Sequence, residues 1–149
     1  MRVKTQAPKL ERGVMLIEAL LAILIFSIGI LAVVGMQGVA IRNVTESKYR
    51  SEAAFLTNEL MAKMWTDPGN IALYAYPGSG TVPGRLAEWV NKIDTTLPGA
   101  AVVQPKVTIT GATAQGATVQ VDVFWRLPEE TTAGLPPHSH TVVASVFTD

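Results

Sequence analysis

Ala19-Leu20-Leu21-Ala22-Ile23-Leu24-Ile25-Phe26-Ser27-Ile28-Gly29-Ile30-Leu31-Ala32-Val33-Val34-Gly35-Met36-Gln37-Gly38-Val39-Ala40-Ile41 is a run of 23 residues without an ionisable side chain, and only Ser27 and Gln37 in it are strongly polar. A hydrocarbon core about 30 Å thick needs about 20 apolar helical residues, so the run is long enough to span a bilayer as a helix. Its flanks are unequal. Arg2, Lys4, Lys9 and Arg12, opposed by Glu11 alone, give residues 1–13 a formal charge of +3. Positive flanks stay on the cytoplasmic side, which places the first residues inside and the C-terminal part outside. A secretory signal peptide reads differently: its apolar region is about 7–15 residues and leads to a small-residue cleavage site. Here the run is longer, and Arg42-Asn43-Val44-Thr45-Glu46 follows it without a helix breaker. The expectation is a helix that is retained.

The remaining composition suits such a helix joined to one small domain. The chain has 149 residues, 48% apolar and only 16% charged, against a usual charged share of about 25%. Its 12 Lys and Arg balance 12 Asp and Glu, so no basic excess points to nucleic acid, and no nucleic-acid partner is expected. Cysteine is absent, which excludes disulfides, thiolate zinc sites and a cysteine nucleophile.

Glu18 stands close to the start of the run, with no basic residue after it until Arg42. By position alone such a carboxylate sits at headgroup level and faces water; deeper in lipid it would need a partner. Its setting, Gly13-Val14-Met15-Leu16-Ile17-Glu18 behind a basic leader and ahead of an uncharged helix, resembles the class III signal of type IV prepilins and the related pseudopilins. The match consists of a glycine before the cut, a Leu-Ile-Glu triplet with its glutamate fifth after the cut, and the long apolar helix. The chain departs from the pattern at Val14, where the family usually has phenylalanine. Ser27-Ile28-Gly29-Ile30-Leu31-Ala32-Val33-Val34-Gly35-Met36-Gln37 is similar to the same stretch in minor pilins of the PilV type. The resemblance implies that a prepilin peptidase cuts between Gly13 and Val14 and N-methylates Val14. It also implies that Glu18 of one subunit neutralises the new amine of a neighbour during assembly. The mature residues 14–149 would then hold 8 basic against 11 acidic side chains.

Past Ile41 the helix is expected to continue. Tyr49, Ala53, Leu56, Leu60 and Met64 recur at steps of 4, 3, 4 and 4, one face of a helix, until Asp67-Pro68-Gly69-Asn70 stops it. From Val14 to Trp65 the helix would be about 78 Å long at 1.5 Å per residue. A head of about 100 residues is too small to bury that length, so the first half belongs in a membrane or a filament. The second half supplies a wall for a core. Ile71 to Gly84 reads as an ordered loop, and Leu86, Trp89, Val90, Ile93 and Leu97 as a short amphipathic helix ending at Pro98-Gly99. The period then becomes two: Val107 and Ile109, then Val119, Val121, Val123 and Trp125, then Val142, Ala144 and Val146. Gly111 to Gly116 and Pro128 to Pro137 connect these segments, and a further strand is possible at Ala100–Val103. The expected fold is α+β, a long N-terminal helix packed on a small antiparallel sheet, the layout of a pilin. The expected organisation is a cleaved leader 1–13, a transmembrane or filament helix 14–41, and a head 42–149. The head divides into helix 42–66, loop and short helix 67–99, and sheet 100–149.

No catalytic site, cofactor or metal is expected. His138 and His140 read as a polar surface loop, since a metal needs three or four ligands and only Glu129 and Glu130 are near in sequence. Ser139, Ser145 and Asp122 supply the residue types of a hydrolase triad without a nucleophile elbow. Some pseudopilins bind calcium, but Asp94, Asp122, Glu129, Glu130 and Asp149 are scattered. Trp65, Trp89 and Trp125 read as core aromatics rather than a stacking platform. Gly78-Ser79-Gly80 lacks the lysine of a phosphate loop.

The resemblance implies a minor pilin of a type IV pilus, a non-enzymatic subunit that primes assembly at or near the pilus tip. Its implied partners are other major and minor pilins, the prepilin peptidase, an inner-membrane assembly platform and lipid. Its implied location is the inner membrane, single-pass with a periplasmic head, and then the pilus. A minor pseudopilin of a type II secretion system and a single-span anchored binding domain are the alternatives.

Overall fold

The structure, a computed structural model, describes residues 11–113, 115–128, 130 and 136–147. Of the sequence expectations, residues 1–10 of the leader, Glu129 and Asp149 lie outside the described residues. The element order is α1 (Glu11–Trp65), a 3-10 helix (Pro68–Tyr74), α2 (Ala87–Thr96), β1 (Lys106–Thr113), β2 (Gly116–Trp125) and β3 (His138–Phe147). The class is α+β, as the sequence predicts. Two compact units divide the chain, Met1–Val44 and Thr45–Asp149.

In the first unit every described side chain from Gly13 onward is exposed, so this length of α1 has no core of its own. Its helix, which runs on to Trp65, is long and apolar enough to cross a membrane. No proline falls between Lys9 and Asp67 to interrupt it.

In the second unit α1 turns one stripe inward. Ala53, Leu56, Leu60 and Met64 are buried as the periodicity predicts, with Tyr49 partly buried beside them. Thr57 and Met61 widen the stripe. Thr57 is tolerated there because its hydroxyl donates to Ala53 O at 2.8 Å. Trp65, expected in the core, is 57% exposed: one residue past Met64, it has rotated off the buried face. The expected loop from Ile71 begins inside the 3-10 helix instead. Ile71 and Tyr74, three residues apart, both reach the core, and three residues make one 3-10 turn. In α2 the residues Trp89, Val90 and Ile93 are buried, flanked by buried Leu86 and Leu97. Trp89 Nε1 donates to Leu56 O at 2.8 Å and pins α2 to α1.

The sheet has the order β1-β2-β3, antiparallel throughout. Val107, Val121 and Val142 are in register across it. Val119, Val121, Val123, Trp125 and Val146 point to the helices and are fully buried. β1 extends to Thr113, further than the Gly111 boundary expected, with a register shift between Thr110 and Thr113. Ala100–Val103 is not a strand. Gly99, at φ 71°, reverses the chain into consecutive turns, in which Val102 N bonds Gly99 O and Val103 N bonds Ala100 O. The backbone of β1 at Val107 is taken by Tyr76 through two hydrogen bonds of 2.9 and 2.8 Å.

Candidate functional site

Gly13 and Val14 lie in the first turns of described α1, Val14 with 64% of its surface exposed. Among the described residues, nothing beyond the adjoining helix backbone lies within 4 Å of where a Gly13 side chain would begin. Glu18 follows Val14 by four residues, one turn on, so the two share a face. Leu16, Ile17, Leu20 and Leu21 around them are exposed and apolar. Glu18 has no hydrogen-bond or ionic partner among the described residues. The helix therefore presents a lone acid on an apolar surface, with an accessible backbone junction one turn before it. An anionic group so placed attracts a cation that arrives with a neighbouring apolar surface, and penalises approach without one.

The second unit holds the polar clusters. Asp67 accepts from Asn70 Nδ2 at 2.7 Å and from the Tyr74 hydroxyl at 3.0 Å, and pairs with Arg85. The Asn70 hydrogen bond above all, then the Tyr74 bond and the charges of Arg85 and Lys63, hold its carboxyl below the usual aspartate range against a contrary push from burial. Burial first, and the bond to Asp67 next, raise the Tyr74 phenol above its ordinary value. This cluster ties the 3-10 helix to the approach to α2.

His138 and His140 are not in a loop: they open β3. The His138 ring stacks on Trp125, with centroids 5.7 Å apart and planes 16° from parallel. Its Nε2 lies 3.0 and 3.1 Å from the two Glu130 oxygens, and its Nδ1 lies 3.9 Å from Glu46. Alternation of side chains then breaks any triad. His138 and His140 face the same side as Val142 and Val146, whereas Ser139 and Ser145 face the other. Asp122, opposite Thr141, is on the serine side and accepts from Thr141 Oγ1 at 2.7 Å and from Gln120 Nε2 at 3.1 and 3.0 Å. The His138–Trp125–Glu130 packing was not foreseen. The signal for it was His138 and His140 extending the period of Val142, Ala144 and Val146, overshadowed by Pro136-Pro137 immediately before.

Among the described residues no group of three or more His, Asp or Glu could hold a metal ion. Asp94 accepts from Gln104 Nε2 at 3.3 and 3.4 Å. Trp89 and Trp125 are buried, as expected of core aromatics. In the second unit the buried Trp125 Nε1 has no hydrogen-bond partner among the described residues, and in the first unit Glu18 has none. No family model, no curated protein and no solved structure matches this chain.

Proposed function

We propose that the chain is a minor pilin of a type IV pilus, made as a precursor, cut between Gly13 and Val14, and N-methylated at Val14. The observation that carries the reading is the Gly13-to-Glu18 sequence set directly ahead of an apolar helix with no core of its own. The subunit waits in the inner membrane with its helix in lipid and its head in the periplasm. It leaves the bilayer when that helix exchanges lipid for the helices of major and minor pilins on the assembly platform. Burial in lipid and burial among apolar helices are similar in hydrophobic terms, so the exchange needs no large hydrophobic change.

Glu18 gives the exchange its register. Cleavage frees a cationic amine at Val14, and the carboxylate of a neighbour neutralises it. Unit charges about 4 Å apart attract by about 4 kcal/mol at an effective dielectric near 20, before desolvation is subtracted. An unpaired carboxylate in the same surroundings would be penalised by several kcal/mol, so the pair selects one axial position more than it adds net stability. The head carries no proposed catalytic role.

Intact mass and N-terminal sequencing of the protein from membranes test the reading. The expected chain begins at N-methylvaline 14; a chain beginning at Met1, or cut beyond Ile41, overturns it. Loss of surface pili on deletion, with protein secretion intact, distinguishes the pilus from a secretion system.

A further inference from the structure

Between Glu18 and Arg42 only Ser27 and Gln37 carry strong hydrogen-bonding side chains. Ser27 satisfies itself, its hydroxyl donating to Ile23 O at 2.7 Å. Gln37 has no partner among the described residues. Counting from Ile30, midway between Glu18 and Arg42, Gln37 is about 10 Å along the helix axis, inside a hydrocarbon half-thickness of about 15 Å. An amide with two N–H donors and a carbonyl acceptor is costly to leave unpaired at that depth.

Gln37 does not stand on a random face. Phe26, Gly29, Ile30, Val33, Val34 and Gln37 line one shallow concavity of the helix surface. Within it Phe26, Ile30, Val33 and Gln37 recur at steps of 4, 3 and 4, and Ala19 and Ile23 continue the pattern toward the N-terminus. That alternation is the seam of a left-handed pair of helices, with the amide at one seam position, where a polar residue fixes register. Gly29 flanks the seam with nothing within 4 Å of its absent Cβ, leaving a hole for a knob from the facing helix.

We propose that this seam joins two copies of the chain side by side in the membrane, parallel, with Gln37 bonded to Gln37 across a two-fold axis. This rests on the reading that α1 spans the bilayer. The choice of a second copy follows from complementarity. Both copies are oriented by the same basic leader and therefore present Gln37 at the same depth. An amide donates and accepts, so two of them satisfy each other reciprocally, as an isologous contact requires. The seam from Ala19 to Gln37 carries no charge, so no like charges face each other within it. A different helix would have to bring its own donor and acceptor to that level.

The absence of cysteine makes the test free of background. Single cysteines are placed from residue 26 to residue 37 of the full-length chain, and membranes are oxidised mildly. Disulfide-linked dimers should peak at Phe26→Cys, Ile30→Cys and Val33→Cys, and fall at Ile28→Cys, Leu31→Cys and Gly35→Cys. In the Ile30→Cys chain, Gln37→Leu should reduce cross-linking about threefold to fivefold, the scale of one interhelical hydrogen bond in lipid, and Gln37→Asn should restore part of it. A flat profile, a peak on the 28, 31 and 35 face, or linked species that are not twice the chain mass would overturn the proposal. Alkaline carbonate separates the two levels: a chain released from membranes overturns the spanning reading and this one together. A retained chain with a flat profile overturns this one alone.

Discussion

Leu24 and Leu56 belong to the same helix, yet Leu24 is 56% exposed and Leu56 is 1% exposed. The contrast holds for whole regions: Leu20, Ile23, Ile25, Phe26 and Leu31 in the first unit against Leu60, Met64, Ile93, Val121 and Trp125 in the second. Residue type is the same and local conformation in α1 is the same, so neither explains the difference. What differs is whether the chain supplies a covering surface. In the second unit the sheet and α2 cover one stripe of α1, and the apolar faces are consumed internally. In the first unit the described side chains from Val14 to Val44 are all exposed, and a contiguous apolar surface of that extent marks a membrane or protein contact. One region is folded by its own residues, and the other is a helix waiting for an environment.

Truncating the two leucines should give the largest separation. Leu56→Ala removes a buried side chain from the core and is expected to lower the stability of the second unit by about 2–5 kcal/mol in thermal or denaturant unfolding. Leu24→Ala removes a side chain that touches solvent or lipid and should change the same transition by less than about 0.5 kcal/mol. Equal effects would mean that the two regions share a core. Glycines sharpen the comparison at smaller scale. Gly116 has φ 144°, and a Cβ there would lie 2.3 Å from Val146 O, between β2 and β3. Gly116→Ala is therefore expected to cost at least about 1–3 kcal/mol through backbone strain, before the clash with β3 is counted. Gly29→Ala, in helical backbone with open space around it, should leave head unfolding unchanged and firm up its own helix by about 0.5–1 kcal/mol.

The two regions also differed in how plainly their sequences spoke. In the first unit 23 uncharged residues leave only one regular structure that satisfies every backbone group in lipid. In the head, α1's buried stripe, α2 and the three strands were legible because period-3.6 and period-2 patterns report which side is covered. The misses came where a pattern was short or where Pro and Gly dominated it. Ile71 and Tyr74 are only two residues of a stripe, too few to announce a 3-10 turn. Val102 and Val103 have strand-like side chains, but Pro98-Gly99 sends them into turns, and Tyr76 already occupies the β1 backbone at Val107. Trp65 differs from the expectation because one position of rotation at a helix end separates it from buried Met64. For the candidate site, Glu18 stands out in sequence because an uncharged apolar run follows it, whereas Gly13 and Val14 are singled out by the resemblance of Gly13-to-Glu18 to a prepilin signal. The period of Val142, Ala144 and Val146 places His138 on their face, but its meeting with Trp125 depends on the register between β2 and β3, which that period does not encode.

Acid titration distinguishes the regions next, because Asp67 belongs wholly to the second. Its carboxyl is held below the ordinary value by Asn70, Tyr74 and Arg85, so the folded state binds its proton less tightly than the unfolded state. The stabilisation is present above the ordinary aspartate pKa of about 3.9. It fades as pH falls from there through the lowered folded value. Wild-type thermal midpoints should therefore drop across that acid range, and Asp67→Asn should start lower at neutral pH and decline less steeply. A variant with the wild-type slope would show that this cluster does not couple to folding.

The smallest expected effect concerns an ion pair, and it is informative because of its counterpart in lipid. Lys92 Nζ lies 2.6 Å from Glu59 Oε2 and 5.5 Å from the centre of the Phe55 ring, with both charged side chains nearly half exposed. In water such a pair contributes about 0.2–1 kcal/mol, since hydration competes with the attraction and both side chains lose freedom. A double-mutant cycle with Glu59→Gln and Lys92→Met should return a coupling in that range. Because the pair is exposed, the coupling should weaken at 1 M salt, where the screening length is about 3 Å. The pairing proposed for Glu18 would obey the opposite rule. In an apolar bundle salt has little access to the carboxylate, and loss of the partner leaves a charge that water cannot rescue. Glu18→Gln should accordingly impair incorporation into assemblies at every salt concentration while leaving head unfolding untouched. A salt-insensitive Lys92–Glu59 coupling would break the contrast from one side, and a Glu18→Gln chain that assembles normally would break it from the other.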